Sequence, residues 1–157
     1  MIKTKIAEPA LPVNSSNEVA KRYRSLEKYD REHLIRLDLD NRNRIIGEET
    51  ISIGTAEMAI VSPRELFKGA LLNNAVRIIL VHNHPSGSAE PSFEDKKIED
   101  ALRGAGEILG IPVMDFLIIG EDGWYWSSAD DGRQQLGDSG LEDGLVANDS
   151  ARGGEKA

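Results

Sequence analysis

Apolar and polar positions recur along this chain at two different periods, and each change of period marks a new element. SSNEVAKRYRSLEKY, residues 15–29, opens with serine cap candidates and carries apolar groups at helical spacing, which predicts a first helix. HLIRLDLD alternates apolar and polar, DNRN reads as a turn, and RIIGEETISIG alternates again. Residues 33–54 are therefore expected to form an antiparallel hairpin. In SPRELFKGALLNN, Ser62 as N-cap, Pro63 at the first helical position and Glu65 three residues after the cap predict a capping-box start for a second helix. The β-branched run AVRIILVHNH has strand length, PSGSAEP reads as a loop, and SFEDKKIEDALRGAGEIL reads as a third helix ending before Gly110. IPVMDFLIIG, the turn EDG and WYWSS predict a second hairpin. Helices and strands mix without a regular βαβ rhythm, the pattern of an α+β or three-layer domain around a mostly mixed sheet.

The periodic part is bounded at both ends. Residues 1–15 are Pro-punctuated and expected to be an extended arm, 16–127 the folded domain, and 128–157 an acidic, disordered tail without a periodic apolar face. A chain of 157 residues with 39% hydrophobic content has room for one core. It has no cysteine, so disulfides, thiolate metal sites and a Cys nucleophile are excluded; a metal would need His, Asp, Glu or water. No apolar run approaches the ~18–20 residues of a membrane span, and the start lacks the apolar core of a signal peptide, so a soluble, cytoplasmic protein without a membrane partner is expected. The net charge of −8 argues against a broad electrostatic grip on DNA, although a local basic patch is compatible with it.

The candidate chemistry lies in VHNHPSGSAEPSFED, residues 81–95. Strand alternation projects His82 and His84 from the face that carries Ile78 and Leu80, and turns Asn83 the other way. Ser92 has the position of an N-cap, and Ser92, Asp95, Ile98, Leu102, Ala105 and Leu109 step by three and four along one stripe of the third helix. Asp95 thus lies on a buried stripe, where an unpaired carboxylate is costly and asks for a cation or strong donors. Taken singly, an H-x-H pair on a strand is more often structural, and Ser-x-x-Asp is a common cap. Their joint arrangement leaves two readings open, a capped helix beside structural histidines or a mononuclear His82-His84-Asp95 site. In the second, three protein ligands leave a tetrahedral Zn²⁺ one position for water, whose pKa zinc lowers to roughly 7. A non-ligand carboxylate would take the proton, and the neighbouring candidates are Glu48 and Glu49. Glu49 is expected on the core face with Ile45, Ile51 and Ile53, and Glu48 with Ile46, Thr50 and Ser52.

Glu49, His82-x-His84, seven residues, Ser92, two residues and Asp95 resembles the JAMM motif of the MPN/JAB metallopeptidases. HNHPSGSAEPSFED, with IGT upstream, SPRELFKGAL between and LGIPVMDFLIIG downstream, is similar to the RadC-like JAB domain branch over about residues 16–127. The resemblance implies a deaminase-like three-layer α/β/α fold with a curved mixed sheet. It further implies one zinc per chain on His82, His84 and Asp95, Glu49 as water activator, Ser92 as oxyanion donor, and hydrolysis of a peptide or isopeptide bond in a protein substrate. The alternative that the RadC name suggests is a DNA repair or recombination accessory protein with a structural or vestigial zinc site. Full-length RadC proteins carry a helical N-terminal region that these residues do not match, so DNA association through that region is not carried over. Where many relatives have a histidine after the third helix, this chain reads Asp115-Phe116, which removes an accessory group but none of the five motif residues. His33 is expected to be structural, and Trp124 and Trp126 to serve sheet packing.

Overall fold

A computed structural model describes residues 3–5, 12–54 and 61–137. The first helix, α1 (Ser16–Arg22), is capped by the Ser15 side chain, which accepts from Glu18 N–H, and runs into a 3₁₀ turn over Arg24–Lys28. Strands β2 (Glu32–Leu39) and β3 (Ile45–Gly54) form the expected hairpin. Its turn is held by Asp40, whose carboxylate accepts from the N–H groups of Arg42 and Arg44 and from Arg44 Nε. Helix α2 (Pro63–Leu72), strand β4 (Arg77–Asn83), helix α3 (Phe93–Leu109), and strands β5 (Val113–Ile119) and β6 (Trp124–Ser127) follow in the expected order.

Two further strands, β1 (Lys3–Lys5) and β7 (Gly132–Gln135), extend the sheet at its edges. β7 pairs with β6, and Leu136 behind it is buried, so folded structure runs past residue 127, where the sequence pattern placed its end. The acidic stretch from 138 to 157 lies outside the described residues. The capping box expected for α2 is absent, since Ser62 makes no side-chain cap bond; Pro63, with its preset φ and no N–H to satisfy, starts that helix instead.

Among the described residues the sheet order is β1-β3-β2-β4-β5-β6-β7, with β4 and β5 parallel and all other neighbours antiparallel. Alternate residues of the central strands feed two cores. Ile35, Leu37, Leu39, Ile79, Val81 and Leu117 pack with Val19 and Ala20 of α1 and with Tyr23, its C-cap, on one face. Leu34, Ile78, Leu80 and Phe116 pack with Leu66 and Phe67 of α2 and Leu102 of α3 on the other. This is the expected three-layer α+β arrangement.

Because β2 is covered on both faces, the polar members of its alternating pattern are buried rather than solvated. Arg36 is fully buried, with Nε and Nη2 donating to Asp38 at 2.6 and 3.0 Å and Nη1 donating to Glu49 Oε1 at 2.8 Å and Leu66 O at 2.6 Å. Asn73 Nδ2 donates to Asp38 at 2.7 Å. Helix α2 crosses this cluster at Gly69, where a Cβ would stand 2.7 Å from Arg36 Nη2.

Helix α3 makes a closer approach at Gly106, where a Cβ would come within 2.5 Å of the Ile111 carbonyl oxygen and 3.3 Å of the Phe67 ring. Gly106→Ala is therefore expected to lower stability by about 1–3 kcal/mol in chemical denaturation. Helix propensity alone would favour alanine by ~1 kcal/mol. A variant more stable than the parent would show that the helix can move off that carbonyl at little cost.

Candidate metal centre

His82 and His84 stand at the C-terminal end of β4, beside the parallel strand β5, with α3 starting just across the loop. Side chains from strand end and helix start therefore converge at one point, the place where open sheets with parallel strands bind ligands. Ser92 caps α3 by accepting from Asp95 N–H at 3.1 Å, and Asp95 Oδ2 returns the bond by accepting from Ser92 N–H at 2.7 Å. This capping box locks the Asp95 carboxylate toward the histidines. Its Oδ2 lies 2.8 Å from His84 Nε2 and its Oδ1 3.4 Å from His82 Nε2. The two imidazoles meet edge to face, with centroids 4.7 Å apart. The expected trio of His82, His84 and Asp95 is thus brought together, with Ser92 exposed beside it.

The hydrogen-bond inventory is short of donors. His84 Nδ1 donates to the Ser88 carbonyl at 2.9 Å, so Nε2 donates to Asp95 when the ring is protonated and presents a lone pair to the carboxylate when it is neutral. His82 is fully buried, and neither of its ring nitrogens has a hydrogen-bond partner among the described residues. Burial pushes its pKa down to about 4, which keeps the ring neutral and a potential ligand. Burial opposes protonation of His84 as well, but the bond to Asp95 outweighs it and the net pKa is raised. For Asp95, burial raises the pKa, and the bonds from His84 and Ser92 N–H reverse this to a net lowering.

A further carboxylate belongs to this cluster, and it is not Glu49. Glu32 starts β2, which lies antiparallel to β4 with Leu34 opposite His82, so Glu32 lies level with His84. One Glu32 carboxylate oxygen and one nitrogen from each histidine lie within 4.8 Å of one another. Glu32 Oε2 is buried without a hydrogen-bond partner among the described residues, and burial raises the Glu32 pKa.

Glu49 does face the same side of the sheet as the histidines, but it is bound to Arg36. Arg36 pairs with Leu80, two residues before His82 and two strands over from Glu49, which puts the Glu49 and His82 backbones about 12 Å apart by ordinary sheet spacings. Strict alternation also fails along β3. A register shift between Asp38 and Leu39 marks a bulge at Ile46, so Ile45 packs in the α1 core, opposite Glu49, while Ile51 stays on the α2–α3 side. Glu48 does turn away from Glu49 and hydrogen-bonds Tyr23 below α1.

The remaining residues singled out in the sequence have structural settings. The His33 ring meets that of Tyr29 in a tilted contact, centroids 4.7 Å apart, Trp124 lies under the Arg133 guanidinium at 4.3 Å, and Trp126 packs against the α2–α3 core. Phe116 sets its ring 6.4 Å from His82. Among the described residues no helix is long and apolar enough to cross a membrane.

Comparison with known proteins places the chain in a family. Similar proteins include a UPF0758 protein of Methanosarcina acetivorans, 42% identical over 132 residues that cover 83% of this chain and 57% of the relative. A UPF0758 protein of Methanococcoides burtonii is 46% identical over 129 residues, 80% of this chain and 55% of the relative. The chain thus spans somewhat more than half the length of these curated relatives. The profile of the RadC-like JAB domain matches residues 13–133, and the chain belongs to the RadC-like JAB domain family.

Proposed function

We propose that the protein is a zinc-dependent hydrolase that cleaves a peptide or isopeptide bond at the His82, His84, Asp95 and Glu32 cluster. The observation that carries this reading is the surplus of acceptors. A buried neutral His82 with two unpartnered nitrogens faces a carboxylate that also meets His84, and an orphaned Glu32 oxygen stands alongside. Such a cluster needs a cation, and imidazole with carboxylate donors suits zinc. His82, His84 and Asp95 would hold the ion, with the Ser88 carbonyl fixing the His84 tautomer so that Nε2 faces inward. When bound, the ion would supply Lewis acidity, making water easier to deprotonate and a carbonyl carbon easier to attack. Glu32, rather than the expected Glu49, takes the proton from the attacking water and passes it to the departing amine. Ser92 Oγ spends its lone pair on Asp95 N–H, which leaves its own O–H to donate to the oxygen of the attacked carbonyl.

His82→Ala and His84→Ala test the ligand set. Purified parent should carry about one zinc per chain, the mononuclear count for this donor set, and each variant should lose stoichiometric metal while remaining folded. Full zinc content in both variants, measured by elemental analysis, would remove the assignment.

A further inference from the structure

Asn83 separates the two histidines in sequence, and the proposed chemistry makes no use of it. It is nevertheless buried, 1% exposed, and all of its side-chain hydrogen bonds among the described residues reach across to the stretch from Leu26 to His33. The ladder between β2 and β4 ends at the pair Leu34 and His82, so the Asn83 side chain continues it where the backbones stop pairing. Asn83 Oδ1 accepts from His33 N–H at 2.6 Å. Asn83 Nδ2 donates to the Arg31 carbonyl at 3.0 Å and to the Leu26 carbonyl at 3.3 Å. The Arg31 carbonyl and the His33 N–H belong to the two peptide units that flank Glu32. One amide side chain thus grips the backbone on both sides of the residue that must face the histidines, and it does so from the strand that carries them.

We infer that Asn83 is a positioning residue for Glu32, tying the carboxylate's place to that of His82 and His84. The inference rests on the proposed role of Glu32. Only a side chain with both an acceptor and a donor can make this grip. An ionised aspartate of the same shape keeps the acceptor for His33 but offers no donor to Arg31 and Leu26, and alanine offers neither. A displacement of about 1 Å at a reacting group costs on the order of 10²-fold in rate. Loss of the grip should therefore appear in turnover while the histidines and Asp95 keep their own supports.

Asn83→Asp and Asn83→Ala are compared with the parent for zinc affinity and for peptide hydrolysis, alone and combined with Glu32→Gln. The expected result is hydrolysis reduced on the order of 10²-fold with zinc affinity changed by less than ~10-fold, below the usual cost of disturbing a ligand's support. In the Glu32→Gln background the same substitutions should cause little further loss, because the group they misplace is already gone. Equal loss in both backgrounds, or parallel loss of zinc and activity, would overturn the inference. Two readouts do not depend on turnover. A crystal structure of Asn83→Asp should show Glu32 displaced from His82 and His84, and an unmoved Glu32 overturns the inference. In the unaltered protein the His33 amide should exchange slowly with solvent, and fast exchange would show that the grip is not made. If the parent proves unable to hydrolyse any peptide while Glu32 still moves in Asn83→Asp, the positioning stands and the hydrolase reading alone is lost.

Discussion

Replacing Glu32 by glutamine is expected to abolish most hydrolysis while leaving zinc and fold in place. The substitution keeps the shape of the side chain and removes its ability to take a proton, and general acid–base groups of this kind contribute ~10²–10⁴-fold in rate. Folding should suffer little, because Glu32 Oε2 has no partner among the described residues and a neutral amide is less costly to bury than a carboxylate. The informative comparison is Glu49→Gln, assayed on the same peptide at the same zinc loading. Glu49 is held by Arg36 about two strands from the histidines, so its loss should be read in stability and hardly in turnover per folded molecule. Glu48→Gln keeps an acceptor for Tyr23 and should resemble the parent. An inactive Glu49→Gln beside an active Glu32→Gln would return the proton-accepting role to β3 and dismantle the proposed site.

The largest effect on stability is expected at Arg36. Its guanidinium is the cation between Asp38 and Glu49, and it also caps the Leu66 carbonyl under α2. Arg36→Met preserves much of the volume and leaves two buried carboxylates facing each other with the Asn73 amide as remaining donor to Asp38. Removing one partner of a buried charge cluster costs about 3–5 kcal/mol, which for a chain of this size corresponds to a fall in Tm of roughly 10 °C. Glu49→Gln, which retains an oxygen for Arg36, should cost only about 1–2 kcal/mol. Denaturant midpoints of the two variants measure the difference. An Arg36→Met protein as stable as its parent would mean that the cluster contributes nothing to holding α2 on the sheet.

Much of this could be read locally. Helix starts and stops, the hairpin turn at Asp40 and the strand lengths depend on neighbouring residues, and the positions of α2, β4, α3 and β5 follow their sequence signals within a residue or two. The convergence of His82, His84 and Asp95 was legible for the same reason. A strand, a short loop and a capped helix are contiguous in the chain, so alternation and helical stepping suffice to aim their side chains.

What the chain alone could not decide is which distant strand lies beside β4. β2 is inserted between β3 and β4, and this order brings Glu32 level with His84 while carrying Glu49 off to Arg36. Sheet order is set by non-local pairing and burial, for which the sequence carries no period. The bulge at Ile46, which breaks the alternation used to place Glu49 with Ile45, likewise follows from fitting β3 to its partner. Arg36 and Asp38 fill the polar slots of an alternating strand, and only the covering helix α2 turns them from solvated charges into a buried pair. The sequence by itself determined the β2–β3 hairpin, the run from α2 to β6 and the convergence of His82, His84 and Asp95, because those rest on contacts between near neighbours, whereas the edge strands β1 and β7 lie where it predicted an arm and a tail. The tertiary structure decided which glutamate joins them, because a side chain's neighbours across a sheet depend on strand order, and strand order is a property of the whole packed domain.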